Sequence, residues 1–197
     1  MEIIFATKNE GKVKEIKAVL GEIGIEVLTM TEVGIDIDVV EDGLTFEENA
    51  IKKAMEIMKV SNKIVLSDDS GLEIDFMGKK PGVHSARFMG KDTPYQVKNN
   101  EILKALKDVS LSDRTARFVC VIAAVFPDGK VLTTRGTIEG QIAQEVKGEN
   151  GFGYDPIFYV PELEKNLAEV SSSEKNVISH RGKALREMAE KLEGLLK

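Results

Sequence analysis

The sequence predicts an α/β protein built on a mixed β-sheet, and three observations predict it. Strand-like and helix-like periodicities alternate through the first half of the chain. Two long β-rich runs joined by a Pro-Asp-Gly turn follow, and an amphipathic helix closes the sequence. With 197 residues, 42% hydrophobic and 30% charged, the chain suits one domain, residues 1–197, with a substantial core and room for two lobes.

The elements follow in order. EIIFAT is a β-branched and aromatic run that stops at Thr7. NEGKVKEIKAVLGEIG then shows helical spacing through Val13, Ile16, Val19 and Leu20 and ends on glycine. TFEE announces a second helix: Thr45 as N-cap and Glu48 three places on form a capping box ahead of Ile51, Ala54, Met55 and Met58. The strand KIVLS comes next. DTPYQ opens a third helix, with Thr93 as cap, Pro94 at the first helical position and Ile102, Leu103 and Leu106 on its apolar side. RTARFVCVIAAVF and KVLTTRGTIEGQI read as two strands of a curved antiparallel ribbon turning at Pro127 to Gly129. The last helix spans HRGKALREMAEKLEGLLK, with Leu185, Met188, Leu192 and Leu195 as a packing stripe.

Composition narrows the functional classes. A net charge of -6 and a pI near 5.2 argue against a protein that coats nucleic acid, while leaving room for a small basic pocket that takes a small anion. No apolar run reaches membrane-spanning length, and MEIIFATKNEGK lacks the order of a signal peptide, so the expected address is cytoplasmic, with no membrane partner. The single cysteine, Cys120, sits in a core-like strand and reads as a buried spectator.

Two stretches carry chemistry. TKNEGK, Thr7 to Lys12, lies where a strand hands over to a helix, so backbone N–H groups, the Thr7 hydroxyl, the Asn9 amide and the ammoniums of Lys8 and Lys12 could face one anion. The equally weighted alternative is that Asn9 caps the helix and the lysines are solvated. A P-loop is excluded, because GxxxxGK followed by Ser or Thr occurs nowhere. SDDSGL places Asp68 and Asp69 together at a strand end. With Glu41, they would make an oxygen-rich site suited to Mg²⁺. Alone, DDSG reads more readily as an Asx-rich turn. An anion cradle, carboxylates and further cations together point to hydrolysis of a phosphate ester or anhydride.

TKNEGK followed by Glu15, then TFEENAIKKA, SDDSGLEID, PGVHSARF, GENGFGYDPIF and EKNVISHRGKAL occur in one order from about residue 3 to residue 188. In this the chain resembles the inosine triphosphate pyrophosphatase family. The resemblance implies an elongated, two-lobed subunit with a strongly curved mixed sheet flanked by helices, an active-site cleft between the lobes, and a homodimer. It also implies Mg²⁺-dependent hydrolysis of the deaminated purine nucleotides ITP, dITP and XTP to the monophosphate and pyrophosphate, cleansing the nucleotide pool.

Carried onto this chain, the resemblance makes Asp69 the proton acceptor and a metal ligand, with Glu41 and Asp68 supporting the metal and Lys12 assisting catalysis. Thr7, Lys8, Asn9, Glu10, Gly11 and Lys12 would hold the triphosphate, joined by Lys53 and Ser70. Phe152, Gly153, Tyr154 and Asp155 would line the base pocket, and Lys175, His180 and Arg181 would complete the nucleotide contacts. Donors at His180 and Arg181 would match a 6-keto purine and leave adenine unpaired. Without the resemblance, those two residues would read as helix capping and surface charge. His84 stands where relatives often carry tyrosine, and Val146 and Lys147 where many carry Pro-Arg. Two other readings are a pyrophosphatase for modified pyrimidines, in the manner of Maf-like proteins, and a noncatalytic nucleotide-binding or nucleic-acid-binding module.

Overall fold

The computed structural model describes residues 2–196 and divides the chain into two compact units. The first holds the chain up to Asp69, Cys120–Gly136 and the residues from Ser179 onward; the second holds Ser70–Val119 and Thr137–Ile178. Three strands, β3 (Val65–Ile74), β5 (Thr115–Val125) and β6 (Val131–Ile142), contribute residues to both units.

In the first unit β1 (Glu2–Phe5) runs parallel to β2 (Glu26–Thr29), with Ile3 opposite Val27, and parallel to β3, with Phe5 opposite Leu66. Parallel neighbours need crossovers, and two helices, α1 (Glu10–Gly21) and α2 (Phe46–Ser61), supply them. Strand alternation then sorts the core. Ile3, Phe5, Leu66, Cys120, Ile122 and Ala124 pack with Ile16 and Leu20 of α1 and with Leu185, Met188 and Leu192 of the terminal helix α5 (His180–Leu196). Ile4, Ala6, Val65 and Val125 pack with Ala54 and Ile57 of α2 on the other side. Helices therefore cover both faces here, and this explains why Val65, Leu66, Ser67, Asp68 and Asp69 of β3 are all buried.

The second unit continues β3 antiparallel to β4 (Lys80–Pro81) and carries β6 on to β7 (Phe158–Val160) and β8 (Lys165–Asn166), both pairings antiparallel. Leu72, Ile74, Ile102, Phe118, Ile142, Phe158 and Leu167 form its core, with the Phe118 and Phe158 rings 4.6 Å apart. Helices α3 (Tyr95–Ala105) and α4 (Ser172–Ile178) complete the unit. The result is the expected α/β class, with a central mixed sheet flanked by helices.

Several local expectations change. β3 does not stop before the acidic pair: Asp68 and Asp69 lie inside it. Thr93 does not cap α3, because its hydroxyl donates to the Met89 carbonyl at 2.7 Å, and Pro94 occupies the cap position with no side-chain bond. Thr45 does cap α2, accepting from the Glu48 N–H at 3.1 Å, but the Glu48 carboxylate takes the N–H of Leu44 rather than that of Thr45. The buried stripe of α2 is Phe46, Asn49, Ala50, Ala54 and Ile57, and Leu195 of α5 is exposed. Cys120 is fully buried, and burial pushes its thiol up to about 12, as befits a spectator.

Candidate active site

In the first unit the chemistry gathers around β3. Val65, Ser67 and Asp69 share one parity, and Leu66 and Asp68 share the other. Ser67 donates its hydroxyl to the Ala50 carbonyl of α2, and Asp69 Oδ2 accepts from Asn49 Nδ2 of the same helix at 2.9 Å. Asp68 instead meets α1 and α5: Lys12 Nζ lies 2.9 Å from its Oδ2, and the Arg181 Nε and Nη2 each donate to that oxygen at 3.2 Å. The two acids, adjacent in sequence, point to opposite faces of the strand, so each finds its own partners.

Their electrostatics diverge accordingly. Burial would raise Asp68, but Lys12, Arg181 and Lys53 outweigh it and hold the carboxyl well below the usual range. The same network raises Arg181 against the cost of its own burial, and Glu15 of α1 closes the cluster by pairing with Arg181 Nη1. At Asp69, burial is the largest influence and raises the carboxyl to about 6; Glu41 adds to the rise, while Lys53 and the Asn49 hydrogen bond oppose it.

Glu41 arrives by alternation as well. Residues 33–41 run with every second side chain half-buried, Val33, Ile35, Ile37 and Val39 among them, so Glu41 turns inward and pairs with Lys53 of α2. Burial would lower Lys53, yet Asp68, then Glu41, and Asp69 hold it above its ordinary value. Asn49 and Lys53 stand four residues apart on α2 and share a face, and this i,i+4 spacing is the sequence signal for Asn49 beside Lys53. In the TKNEGK stretch the helix-capping reading holds for Asn9, while the lysines are paired with carboxylates. Asn9 caps α1 through its Oδ1, which accepts from the Lys12 N–H at 3.1 Å, and Thr7 Oγ1 accepts from the Asn9 N–H at 3.2 Å. Lys8 pairs with Asp36 at the surface, 2.7 Å apart, and Glu10 begins the helix exposed beside Gly11.

His180 and Arg181 are buried rather than surface charges. Ser179 caps the start of α5 by accepting from the Gly182 N–H at 3.0 Å. A Cβ added to Gly136 of β6 would stand 2.1 Å from the His180 carbonyl oxygen, so the strand and the helix start touch backbone to backbone.

In the second unit the glycine-rich loop folds around Asp155. Its Oδ2 accepts from the Phe152 N–H at 2.8 Å and from Lys175 Nζ of α4 at 2.7 Å, and the Lys175 ammonium sits 4.7 Å from the centre of the Phe152 ring. Gly151, at φ +75°, must be glycine here, since a Cβ would lie 2.2 Å from that same oxygen. The Tyr154 hydroxyl donates to the Ser85 carbonyl at 2.7 Å, and Asn99 of α3 donates through Nδ2 to the Gly153 carbonyl at 3.1 Å. Tyr95 meets Tyr154 edge-on at 5.1 Å. Tyr95, Lys98, Asn99 and Ile102 fall at helical spacing, but three of them are polar or amphipathic, so hydrophobicity alone did not mark this face of α3. Ser70 is half-buried in β3, and His84 is exposed in the short helix Gly82–Arg87.

The first unit thus brings together Lys12, Glu41, Lys53, Asp68, Asp69 and Arg181, and the second brings together Phe152, Gly153, Tyr154, Asp155 and Lys175. Among the described residues no three His, Cys, Asp or Glu side chains form a ready-made metal cage. Glu41 and Asp69, both beside the Lys53 ammonium, are nonetheless the kind of donors Mg²⁺ uses, since it usually binds through one or two carboxylates, water and substrate.

Comparison with known proteins shows what the chain is similar to. The Ham1 family model matches residues 3–191. The dITP/XTP pyrophosphatase of Clostridium perfringens is 46% identical over 100% of this chain and 99% of its own length, and that of Bacillus subtilis is 47% identical over 98% and 97%. Among solved structures, the Ham1 protein of Staphylococcus aureus superposes with a TM-score of 0.88 at 42% identity, covering 98% of this chain and 99% of that one.

Proposed function

The chain belongs to the Ham1 family, and from that premise we propose that it hydrolyses the deaminated purine nucleoside triphosphates dITP, XTP and ITP to the monophosphate and pyrophosphate. The observation that carries the reading is Asp69: a buried carboxyl raised to about 6, beside the Glu41–Lys53 pair and held by Asn49. A carboxylate poised near neutrality suits proton removal from an attacking water.

Glu41 and Asp69 would hold Mg²⁺, which when bound would offset negative charge on the phosphate oxygens. Asp68 is a different matter. Lys12 and Arg181 occupy its oxygens, so its proposed role is to position those two cations rather than to ligate metal. Lys12 and Lys53, with Thr7, Asn9 and the start of α1, would take the triphosphate; Lys8, tied to Asp36, and Glu10 and Gly11 would flank it. Ser70 would join them. In the second unit the Phe152 ring and the Gly153–Tyr154 backbone, shaped by Asp155 and Lys175, would meet the base. His180 and Arg181 lie buried at the start of α5, where Arg181 is committed to Asp68 and Glu15; this favours a supporting role for Arg181 over direct pairing with a 6-keto group.

We take residues 1–197 to work as one functional domain, as a homodimer in the cytoplasm. A net charge of -6 supports a free nucleotide rather than a nucleic acid as partner. The test is a product assay with Mg²⁺ over ITP, XTP, dITP, GTP, ATP and dTTP. Pyrophosphate with IMP or XMP and little turnover of ATP or GTP is expected. A nucleoside diphosphate with free phosphate would move the attack to the γ-phosphorus, and preference for a pyrimidine would overturn the purine assignment.

A further inference from the structure

Asn49 is fully buried on α2, and both ends of its amide are engaged. Nδ2 donates to Asp69 Oδ2 at 2.9 Å, while Oδ1 accepts from the backbone N–H of Gly43 at 2.8 Å. The orientation is dictated by the partners, since a carboxylate only accepts when ionised and a backbone N–H only donates; a flipped amide would lose both bonds. Gly43 lies two residues after Glu41, in the segment that leads into the Thr45 cap. The approach there is tight. A Cβ on Gly43 would come within 2.7 Å of Asn49 Oδ1 and 2.9 Å of Glu48 Cβ.

One side chain therefore joins the β3 carboxylate to the loop that carries Glu41, and it does so from a rigid helix. We infer that Asn49 is a positioning residue for the reaction. It sets the rotation of the Asp69 carboxyl about its Cβ–Cγ bond and holds the Glu41 loop at a fixed height against it. The inference rests on the pyrophosphatase reading for the reaction, but its geometric content concerns this chain alone. A carboxyl that rotates freely would still be present and still ionise, but would spend much of its time misdirected. Small misplacements of a reacting group are costly, up to roughly 100-fold in rate.

Asn49→Asp separates the two ends. It keeps an acceptor for Gly43 and removes the donor to Asp69, placing carboxylate against carboxylate. Expected is a fall in kcat of roughly 10- to 100-fold for dITP, with KM unchanged, alongside a lower melting temperature because two buried carboxyls now face each other. Asn49→Ser, smaller and neutral, takes its place in the same assay where Asn49→Asp does not fold. A crystal structure of Asn49→Ala gives the readout free of activity: the Asp69 carboxyl rotates away or splits between conformers. Wild-type kcat in Asn49→Asp, or an Asp69 carboxyl that keeps its wild-type orientation in Asn49→Ala, would overturn the inference. So would a loss of residual activity in the Asp69→Asn background as large as in the wild-type background, because that is the behaviour of general damage. Wild-type protein inactive on dITP and XTP would overturn the pyrophosphatase reading instead, and the crystal result would still decide whether Asn49 orients Asp69.

Discussion

Asp68 and Asp69 are neighbours in the chain and opposites in charge preference: cations hold Asp68 below the usual carboxylate range, while burial raises Asp69 to about 6. The cause is strand alternation, which gives Asp68 to Lys12 and Arg181 and Asp69 to Asn49. In the proposed reaction this separation would leave Asp68 to hold cations and Asp69 to accept a proton.

Asp69→Asn should lower kcat by roughly 100-fold or more, with substrate affinity retained. Steady-state kinetics and calorimetric binding of a nonhydrolysable analogue check both halves. Activity within a few fold of wild type would remove Asp69 from the proton-accepting role.

The same substitution should stabilise the metal-free protein at neutral pH. Burial raises the folded Asp69 carboxyl to about 6, against about 3.9 for a free aspartate. Between those values the native state keeps a proton that the unfolded state has lost, so stability falls as pH rises through the window. At about 1.4 kcal/mol per pH unit, the full penalty above pH 6 is on the order of 3 kcal/mol. Urea unfolding in EDTA should show Asp69→Asn ahead of wild type at pH 8 and level with it below pH 4. A gap independent of pH would contradict the assignment.

Asp68→Ala should destabilise by about 3–5 kcal/mol, because it opens a buried void and takes from Lys12 and Arg181 a shared carboxylate, leaving Arg181 with Glu15. The Asp68 carboxyl is held low, so its contribution is present above the ordinary carboxylate pKa and fades only as pH falls through its depressed native value. Chemical denaturation of the variant at pH 5 and pH 8 should therefore give the same loss. A loss that vanishes at pH 5 would show that the ion pairs are not its source.

Gly136→Ala should disrupt the first unit. The added methyl would meet the His180 carbonyl oxygen at 2.1 Å and the Ala184 amide nitrogen at 2.8 Å, both backbone atoms that no rotamer change can move. A destabilisation above about 4 kcal/mol is expected, read as a melting-temperature shift. A melting curve like that of wild type would mean that the close approach of β6 to α5 is wrong.

Asp155→Asn should act on binding. It leaves the buried Lys175 ammonium without its charged partner and weakens the bond that closes the Gly151–Asp155 turn. The KM for ITP should rise by roughly tenfold, since a charge-assisted bond contributes about 1.5–3 kcal/mol, with kcat changed much less. An equal fall in kcat at constant KM would place Asp155 in the chemical step.

The sequence by itself determined the fold class, the hairpin at Pro127–Gly129, the Thr45 cap and the family, because hydrophobic period, turn chemistry and motif order are local properties of the chain. It also named most of the charged residues that the structure gathers around β3 and around Asp155. It could not say that Asp68 and Asp69 part company, because a turn and a fully buried strand read alike once polar residues interrupt the apolar run. Nor could it say that Arg181 is spent on Asp68 and Glu15, residues 113 and 166 positions away. Only the tertiary structure decided those pairings and the double engagement of Asn49. Burial makes an unpaired polar group costly, and which partner relieves that cost depends on which helix covers each face of the strand.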